Sequence, residues 1–537
     1  MKNRLDQFCS HSHCQLTNFK TQFNYRRFWH LSFSLLVGFK VFSLALLATP
    51  CNAQQPNILF IAVDDLNDYI SPLSNHPGVI TPGFERLARR STVFTNAHCA
   101  APACHPSRVA VMTGVHPSKS GIYRNLFGAH GPRWRDESPE LKNAVVLSQH
   151  FRNNGYHAVG GGKIFHTLQW TPGDSQNDPE AWDDYRGDPL DPISKDWPRP
   201  NFRQHQNDGF HGKRPLSNHL FGAAIIDNAQ EQNYGDHLVA DWAIEQLNQN
   251  HDKPLFLAVG LFRPHIPWEV PKRWFDLYPV ETVQLPKYQR GDLKDAHDHG
   301  RRHWHKWVED NNQWRKLMQG YLASISYVDH QVNRILDGLN NSPKADNTII
   351  VLWSDHGFHI GEKENWEKFA LWNQTTRVPL FVSLPNQFEE NGFPNHARTN
   401  QPVTLTDLYP TLCELAQIPT PEQCSGLSFL DQLRNPDAAR IQPALTSFFF
   451  HRENAASHAI SGTRFRYLKY GNNFEELYDL ENDPNEFINE IDNPNFSRIK
   501  NKLRNSIPSH PADNRTVPTD SEFHRGRLKT KLKEDVK

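Results

Sequence analysis

Four apolar runs in this chain end in side chains that can do chemistry together. Ile58–Val63 runs into Asp64-Asp65, and Ile349–Ser354 runs into Asp355-His356. His157–Gly160 is followed by Lys163 and His166, and Leu255–Leu261 by His265. Short apolar runs of this kind read as buried strands. In open α/β sheets, ligands bind outside the carboxyl ends of the strands. Four strands therefore aim ionisable groups at one rim. Two acidic strand ends in one sheet supply oxygen ligands for a hard cation such as Ca²⁺ or Mg²⁺. The segment Cys104-His105-Pro106-Ser107-Arg108 adds a cysteine just before a helix. Pro106 pre-sets a helix start, which puts Cys104 at the positive end of a helix dipole, with Arg108 one turn in. Taken singly, these are a buried cysteine, loop acids, a surface lysine and a capped histidine; in this order they read as an enzyme site.

Cys104-His105-Pro106-Ser107-Arg108 with the later Thr113-Gly114 resembles the sulfatase signature, a C-x-P-S-R segment with a downstream T-G. Gly162-Lys163-Ile164-Phe165-His166 is similar to the G-K-x-x-H segment of that family. The likeness continues through Arg263-Pro264-His265-Ile266-Pro267, Ser354-Asp355-His356-Gly357, Val328-Asp329, Arg377-Val378-Pro379-Leu380 and the closing Glu476–Pro484. Within the family, the segments around His265 and His356 look most like iduronate-2-sulfatases and their bacterial relatives.

The resemblance implies that Cys104 is oxidised to formylglycine by a formylglycine-generating enzyme. The hydrated aldehyde carries one hydroxyl that attacks sulfur and another that later expels the sulfate. It implies a metal held by Asp64, Asp65, Asp355, His356 and the residue-104 oxygen. Zinc prefers more nitrogen and sulfur ligands, so one calcium ion per chain is expected. It further implies that Arg108, Lys163 and Lys368 neutralise the sulfate, that His166 serves as base in its release, and that His265 donates a proton to the departing alcohol. The expected activity is hydrolysis of sulfate esters on a sulfated saccharide, in the manner of an exo-acting iduronate-2-sulfatase. Two other readings share the scaffold. A phosphoester or phosphonate hydrolase would share the metal aspartates and in some cases the formylglycine, whereas a two-metal phosphatase would need extra His and Asp ligands and usually a Ser or Thr nucleophile, against which Cys104 in C-x-P-S-R argues. A silent glycan-binding homologue would have lost a residue of the cationic cage.

The elements that must position these groups alternate between strand and helix. Predicted helices at Val145–Asn154, His237–Asn250 and Trp314–Leu339 separate the predicted strands, to which Leu380–Leu384 adds a fifth. This pattern implies a largely parallel sheet covered by helices on both faces; the resemblance implies the large mixed, mostly parallel sheet of the alkaline-phosphatase/sulfatase-like α/β class. After about Arg440 the texture changes. Predicted strands Ala444–Phe450, His458–Ser461, Phe465–Tyr470 and Leu477–Asp479 form a small antiparallel sheet with a helix at Phe496–Ser506. The expected organisation is a leader over 1–53, a catalytic domain over 54–439, an α+β subdomain over 440–507 and a mobile tail over 508–537. Gly173–Lys213 and Gly291–Trp307 lack periodicity and read as long loops near the site, where specificity is expected to lie.

Composition bounds the rest. The 537 residues are 37% hydrophobic and 22% charged, ordinary for a globular enzyme. A formal charge of -1 shows no global bias toward nucleic acid or membrane surfaces. A basic stretch at Arg26-Arg27 leads into the apolar run Leu31–Ala48 and small residues near Cys51-Asn52-Ala53, which reads as an export signal to the periplasm or the exterior. Lys40 interrupts the run, which is too short for a membrane span, so no stable insertion is expected. Of seven cysteines, four lie beyond the leader; Cys413 and Cys424 bracket a short loop and could form a disulfide in an oxidising compartment.

Overall fold

Alternation along the apolar strands decides how the layers stack. The computed structural model describes residues 55–73, 76–125, 134–166, 178–187, 222–300, 302–450 and 453–514. The predicted leader, residues 515–537 of the tail and most of Gly173–Lys213 lie outside the described residues. The main sheet has eight strands: β1 (Asn57–Val63), β2 (Thr92–Phe94), β3 (His157–Gly162), β4 (Asp184–Arg186), β5 (Leu255–Leu261), β6 (Thr348–Ser354), β7 (Leu380–Ser383) and β8 (Ala397–Thr399). Their order across the sheet is β8-β2-β7-β6-β1-β5-β3-β4. Pairing is parallel except where β7 lies antiparallel to β6 and β2.

On β1, Leu59, Ile61 and Val63 face one core, while Ile58, Phe60 and Ala62 face the other. The first core is closed by the helices Gly235–Asn248 and Trp314–Asn340, the second by Cys104–Thr113 and Leu147–Asn153. Both faces are apolar because both are covered, as a crossover-connected parallel sheet requires. The five predicted strands all form within two residues of the expected bounds. The short strands β2, β4 and β8 were not predicted; they are three residues each and carry no apolar run of their own.

The smaller sheet is a four-stranded antiparallel meander, β9 (Ala444–Phe448), β10 (Ser457–Ser461), β11 (Phe465–Lys469) and β12 (Glu475–Asp479), with a helix at Ser497–Arg504. One expectation needs correction, and one pairing left open is decided. Gly291–Trp307 is not one long loop: it holds a 3-10 turn at Asp292–Lys294, and a helix runs over Arg302–Asp310, burying Trp304, His305 and Val308. Cys413 and Cys424, which could have paired, are both free thiols. At the tail, Ala512 is tied to the body: its N–H donates to Ser118 O at 2.7 Å and its carbonyl accepts from the Tyr123 hydroxyl at 2.8 Å. No described helix is long and apolar enough to cross a membrane.

Candidate active site

Each sequence-predicted group lies at the rim, on the element that had to deliver it. The helix Cys104–Thr113 starts at Cys104 itself, with Pro106 in its first turn, where a missing N–H costs no intrahelical bond. It ends on Gly114, whose φ of 70° and N–H to Ala110 O make a left-handed cap. Every residue of this helix is buried, so its first turn cannot drift. Lys163 enters through Gly162, at φ 75°, where a Cβ would meet Gly260 O at 2.0 Å; only glycine lets β3 turn here against β5.

At the end of β1, Asp65 takes a left-handed φ of 58°. Such a conformation costs a non-glycine residue roughly 1–3 kcal/mol. The Asp65 N–H donates to Asp355 Oδ1 at 3.1 Å, and its carbonyl accepts the Tyr321 hydroxyl of the long helix at 2.8 Å. Tyr321 in turn accepts from Asn67 N at 3.0 Å. Bonds worth about 1 kcal/mol each are enough to hold the turn. Sequence reasoning missed Tyr321; nothing in the helix pattern separates it from the other buried positions.

The ionisable side chains form one buried array. Lys368 Nζ lies 2.8 Å from Cys104 Sγ and 2.7 Å from Asp65 Oδ1. His356 Nε2 lies 3.2 Å from the same sulfur and 3.3 Å from Asp65 Oδ1. Arg108 Nε donates to Asp355 Oδ2 at 2.8 Å, and its second terminal nitrogen sits 3.2 Å from Asp64 Oδ1, an ion contact without hydrogen-bond geometry. Lys163 pairs with Asp64. His265 Nε2 faces Asp65 Oδ2 at 3.8 Å. His166 stands beside the helix start, its ring 6.0 Å from that of His105, and its buried Nδ1 has no hydrogen-bond partner among the described residues. A further pair was not foreseen: His105 Nε2 lies 3.0 Å from both oxygens of the buried Glu137.

The Sulfatase family model matches residues 56–418. The chain belongs to the sulfatase family. The C-terminal model of N-sulphoglucosamine sulphohydrolase matches residues 361–512. The chain is 37% identical over 480 residues to a sulfatase of Formosa agariphila, covering 87% of this chain and 89% of that one. It is 31% identical over 449 residues to the iduronate 2-sulfatase of Mus musculus, covering 74% and 76%. Among solved structures, the phosphonate monoester hydrolase of Agrobacterium radiobacter superposes with a TM-score of 0.64 at 19% identity, covering 84% of this chain and 94% of that one. At that identity the likeness is one of fold alone. The chain is a sulfuric ester hydrolase, of a family that generally works through a formylglycine and a metal ion.

In this sulfatase, three carboxylates (Asp64, Asp65, Asp355) are interleaved with three cations (Arg108, Lys163, Lys368), all in the interior. Breaking one buried pair by truncation typically costs about 3–5 kcal/mol, because the partner is left charged and unpaired. Burial pushes Asp64 up, but Lys163, His265 and Arg108 hold it well below the usual carboxylate range. Burial raises Asp65 to about 7, although Lys368 opposes the shift. Burial also lifts the Cys104 thiol above its ordinary value, so an unmodified thiol is a poor nucleophile here.

The array fits a divalent cation. Asp64 Oδ1 and Asp65 Oδ2 are buried without a hydrogen-bond donor among the described residues. One ligand atom from each of Asp64, Cys104, Asp355 and His356 lies within 4.8 Å of the others, and the same holds for Asp64, Asp65, Cys104 and His265. Burial lowers His356 to about 4, which keeps the ring neutral. Its Nδ1 lies 2.9 Å from Gly357 O, a pure acceptor, so the proton sits on Nδ1 and the Nε2 lone pair faces the cluster. Adding a divalent cation makes the site net positive, which suits an anionic ester.

Proposed function

We propose that this sulfatase removes sulfate from a sulfated saccharide, acting on a terminal residue in the manner of an iduronate-2-sulfatase. The observation that carries the reading is the cluster around Cys104: a nucleophile position at the start of a buried helix, with Lys368 at 2.8 Å and His356 at 3.2 Å. Formylglycine at position 104, made by a formylglycine-generating enzyme, would supply the attacking hydroxyl. Calcium held by Asp64, Asp65, Asp355 and His356 would polarise a sulfate oxygen. Arg108, Lys163 and Lys368 neutralise the bound sulfate. His265 protonates the departing alcohol, and His166 takes a proton during sulfate release. The iduronate 2-sulfatase relative supports the saccharide class, and the predicted leader over residues 1–53 supports an exported enzyme that meets such saccharides outside the cytoplasm.

The test is a panel of defined sulfated saccharides, with an aryl sulfate and a phosphonate monoester alongside. Release of sulfate from a 2-O-sulfated terminal uronate, at a kcat/KM well above that for the phosphonate, is the expected result. Faster turnover of the phosphonate ester would favour the hydrolase reading that the fold also accommodates.

A further inference from the structure

Lys368 sits within an unusual stretch of backbone. Lys363 (φ 52°), Glu364 (φ 51°), Glu367 (φ 66°) and Phe369 (φ 69°) all take left-handed conformations without being glycine. Such residues persist only where the surroundings over-determine them, and they cluster at functional sites. The segment is a strap that leaves the turn after Gly361, crosses the start of the nucleophile helix and returns to the short helix at Asn373–Thr376. Midway, the Phe369 N–H donates to Pro102 O at 3.0 Å, close before Cys104.

The strap is fastened on both sides of Lys368 by Glu486, in the loop that follows β12. On one side, Lys363 Nζ pairs with Asp292 at 3.0 Å and donates to the Glu486 carbonyl. On the other, the Asn373 N–H donates to Glu486 Oε2 at 2.6 Å. Glu486 Oε1 receives Arg466, which comes from β11. Arg466 also donates to Leu371 O and Thr376 Oγ1, at 2.8 Å each, and to Ser461 Oγ at 2.9 Å. Trp372 Nε1 donates to Glu476 Oε2 on β12 at 2.9 Å. Arg466 is 0% and Glu486 2% exposed, so this pair is shielded from water and competing ions. A buried, fully bonded ion pair is a geometric device more than a source of stability, since its Coulombic gain is largely offset by desolvation.

We propose that Glu486 and Arg466 are positioning residues of the sulfatase reaction: by clamping the strained strap at both ends, they set where Lys368 Nζ stands against position 104. The C-terminal sheet is then part of the catalytic apparatus as well as a cover for the core. The proposal rests on the reading of Lys368 as a cation of the sulfate site. Misplacing a reacting or stabilising group by about 1 Å can cost about 10²-fold in rate.

The test is a double-mutant cycle on the full-length enzyme with an aryl sulfate. Glu486→Gln and Arg466→Lys are each made alone and combined with Lys368→Met, with kcat, KM, Tm and formylglycine content at position 104 measured for all. The expected result is a fall in kcat of about 10- to 100-fold for Glu486→Gln, measured well below the melting temperature, with KM and formylglycine content near wild type; Tm falls too, because Arg466 is left buried without its partner. In the Lys368→Met background the same substitution should add almost nothing, because the group it positions is gone. Hydrogen exchange provides a second readout: the amides of Asn365, Phe369 and Asn373 should exchange faster in both clamp variants, while β1 stays protected. An impaired Lys368→Met enzyme with an unimpaired Glu486→Gln, with losses that multiply, or with unchanged exchange in the strap would overturn the proposal alone. A Lys368→Met enzyme with wild-type kcat would overturn the Lys368 assignment beneath it.

Discussion

Truncating His265 to alanine should separate substrates by the quality of their leaving groups. The ring is fixed by Nδ1, 2.6 Å from Ile266 O, and by contact with the Phe262 ring at 4.7 Å between centroids. The proton on Nδ1 therefore belongs to the Ile266 carbonyl, and Nε2 faces the site near Asp65. Burial, with Lys163 and Lys368 close by, holds the imidazole well below its ordinary value, so in the free enzyme the ring is neutral. An anionic ester placed against the same two lysines offsets their charge and favours the imidazolium. Nε2 then carries a proton to donate. A sugar alkoxide leaves badly without that proton, whereas a phenolate leaves unaided. General acid catalysis is typically worth about 10²–10⁴-fold, or about 3–5.5 kcal/mol of barrier. His265→Ala should lose that much kcat on a sulfated saccharide and less than about tenfold on an aryl sulfate. The assay is side-by-side kinetics of wild type and variant on both substrates, with Tm as a folding control. Equal losses on the two would mean that His265 only binds sulfate, and the acid would have to be sought at Lys368 or in solvent.

Two other outcomes follow from the same geometry. Chelation should abolish turnover and calcium should restore it, while Asp355→Ala should bind no stoichiometric metal by elemental analysis; stoichiometric zinc in active wild-type enzyme would refute the calcium assignment. The buried Asp329 carboxylate accepts the N–H groups of Gly83 and Phe84 at 2.9 and 2.6 Å, and burial raises it to about 7. Because its folded pKa lies above the unfolded value, it contributes stability at low pH that is lost as pH rises from about 4 through 7, with an upper bound of about 4 kcal/mol. Asp329→Asn should therefore flatten the decline of Tm across that window; an unchanged slope would show that other groups set it.

The catalytic half of the fold was legible because strands buried on both faces must be largely apolar, and β1, β5 and β6 are, apart from Asn57, Thr348 and Ser354 at their ends. Their ends were legible because an apolar run that stops at Asp64-Asp65 or Asp355-His356 has to place charge at the rim. What was hidden depended on neighbours distant in sequence. The strands β2, β4 and β8 exist only by pairing with others. The helix at Arg302–Asp310 is mostly polar, and its buried Trp304 and Val308, four apart, are an apolar stripe too narrow to stand out. Tyr321, Glu137, Arg466 and Glu486 act on the site through partners distant in sequence, 20 residues apart for Arg466–Glu486, 32 for His105–Glu137 and 256 for Tyr321–Asp65. The left-handed backbone of the strap could not be read from Lys363, Glu364, Glu367 and Phe369, none of which favours that conformation. His105, the variable position in the signature segment, carried a usable signal: an imidazole beside the nucleophile invites a search for its acid.

The most direct test of the account is the mass of the peptide containing residue 104, measured on the same preparations whose sulfatase activity is assayed. Expressed in a host with the converting enzyme, the protein should show a mass about 18 Da below that of the thiol peptide, since sulfur and two hydrogens are exchanged for oxygen. Activity should scale with the converted fraction and vanish in Cys104→Ala. Full turnover of a sulfate ester by a preparation in which position 104 is entirely thiol would contradict the account.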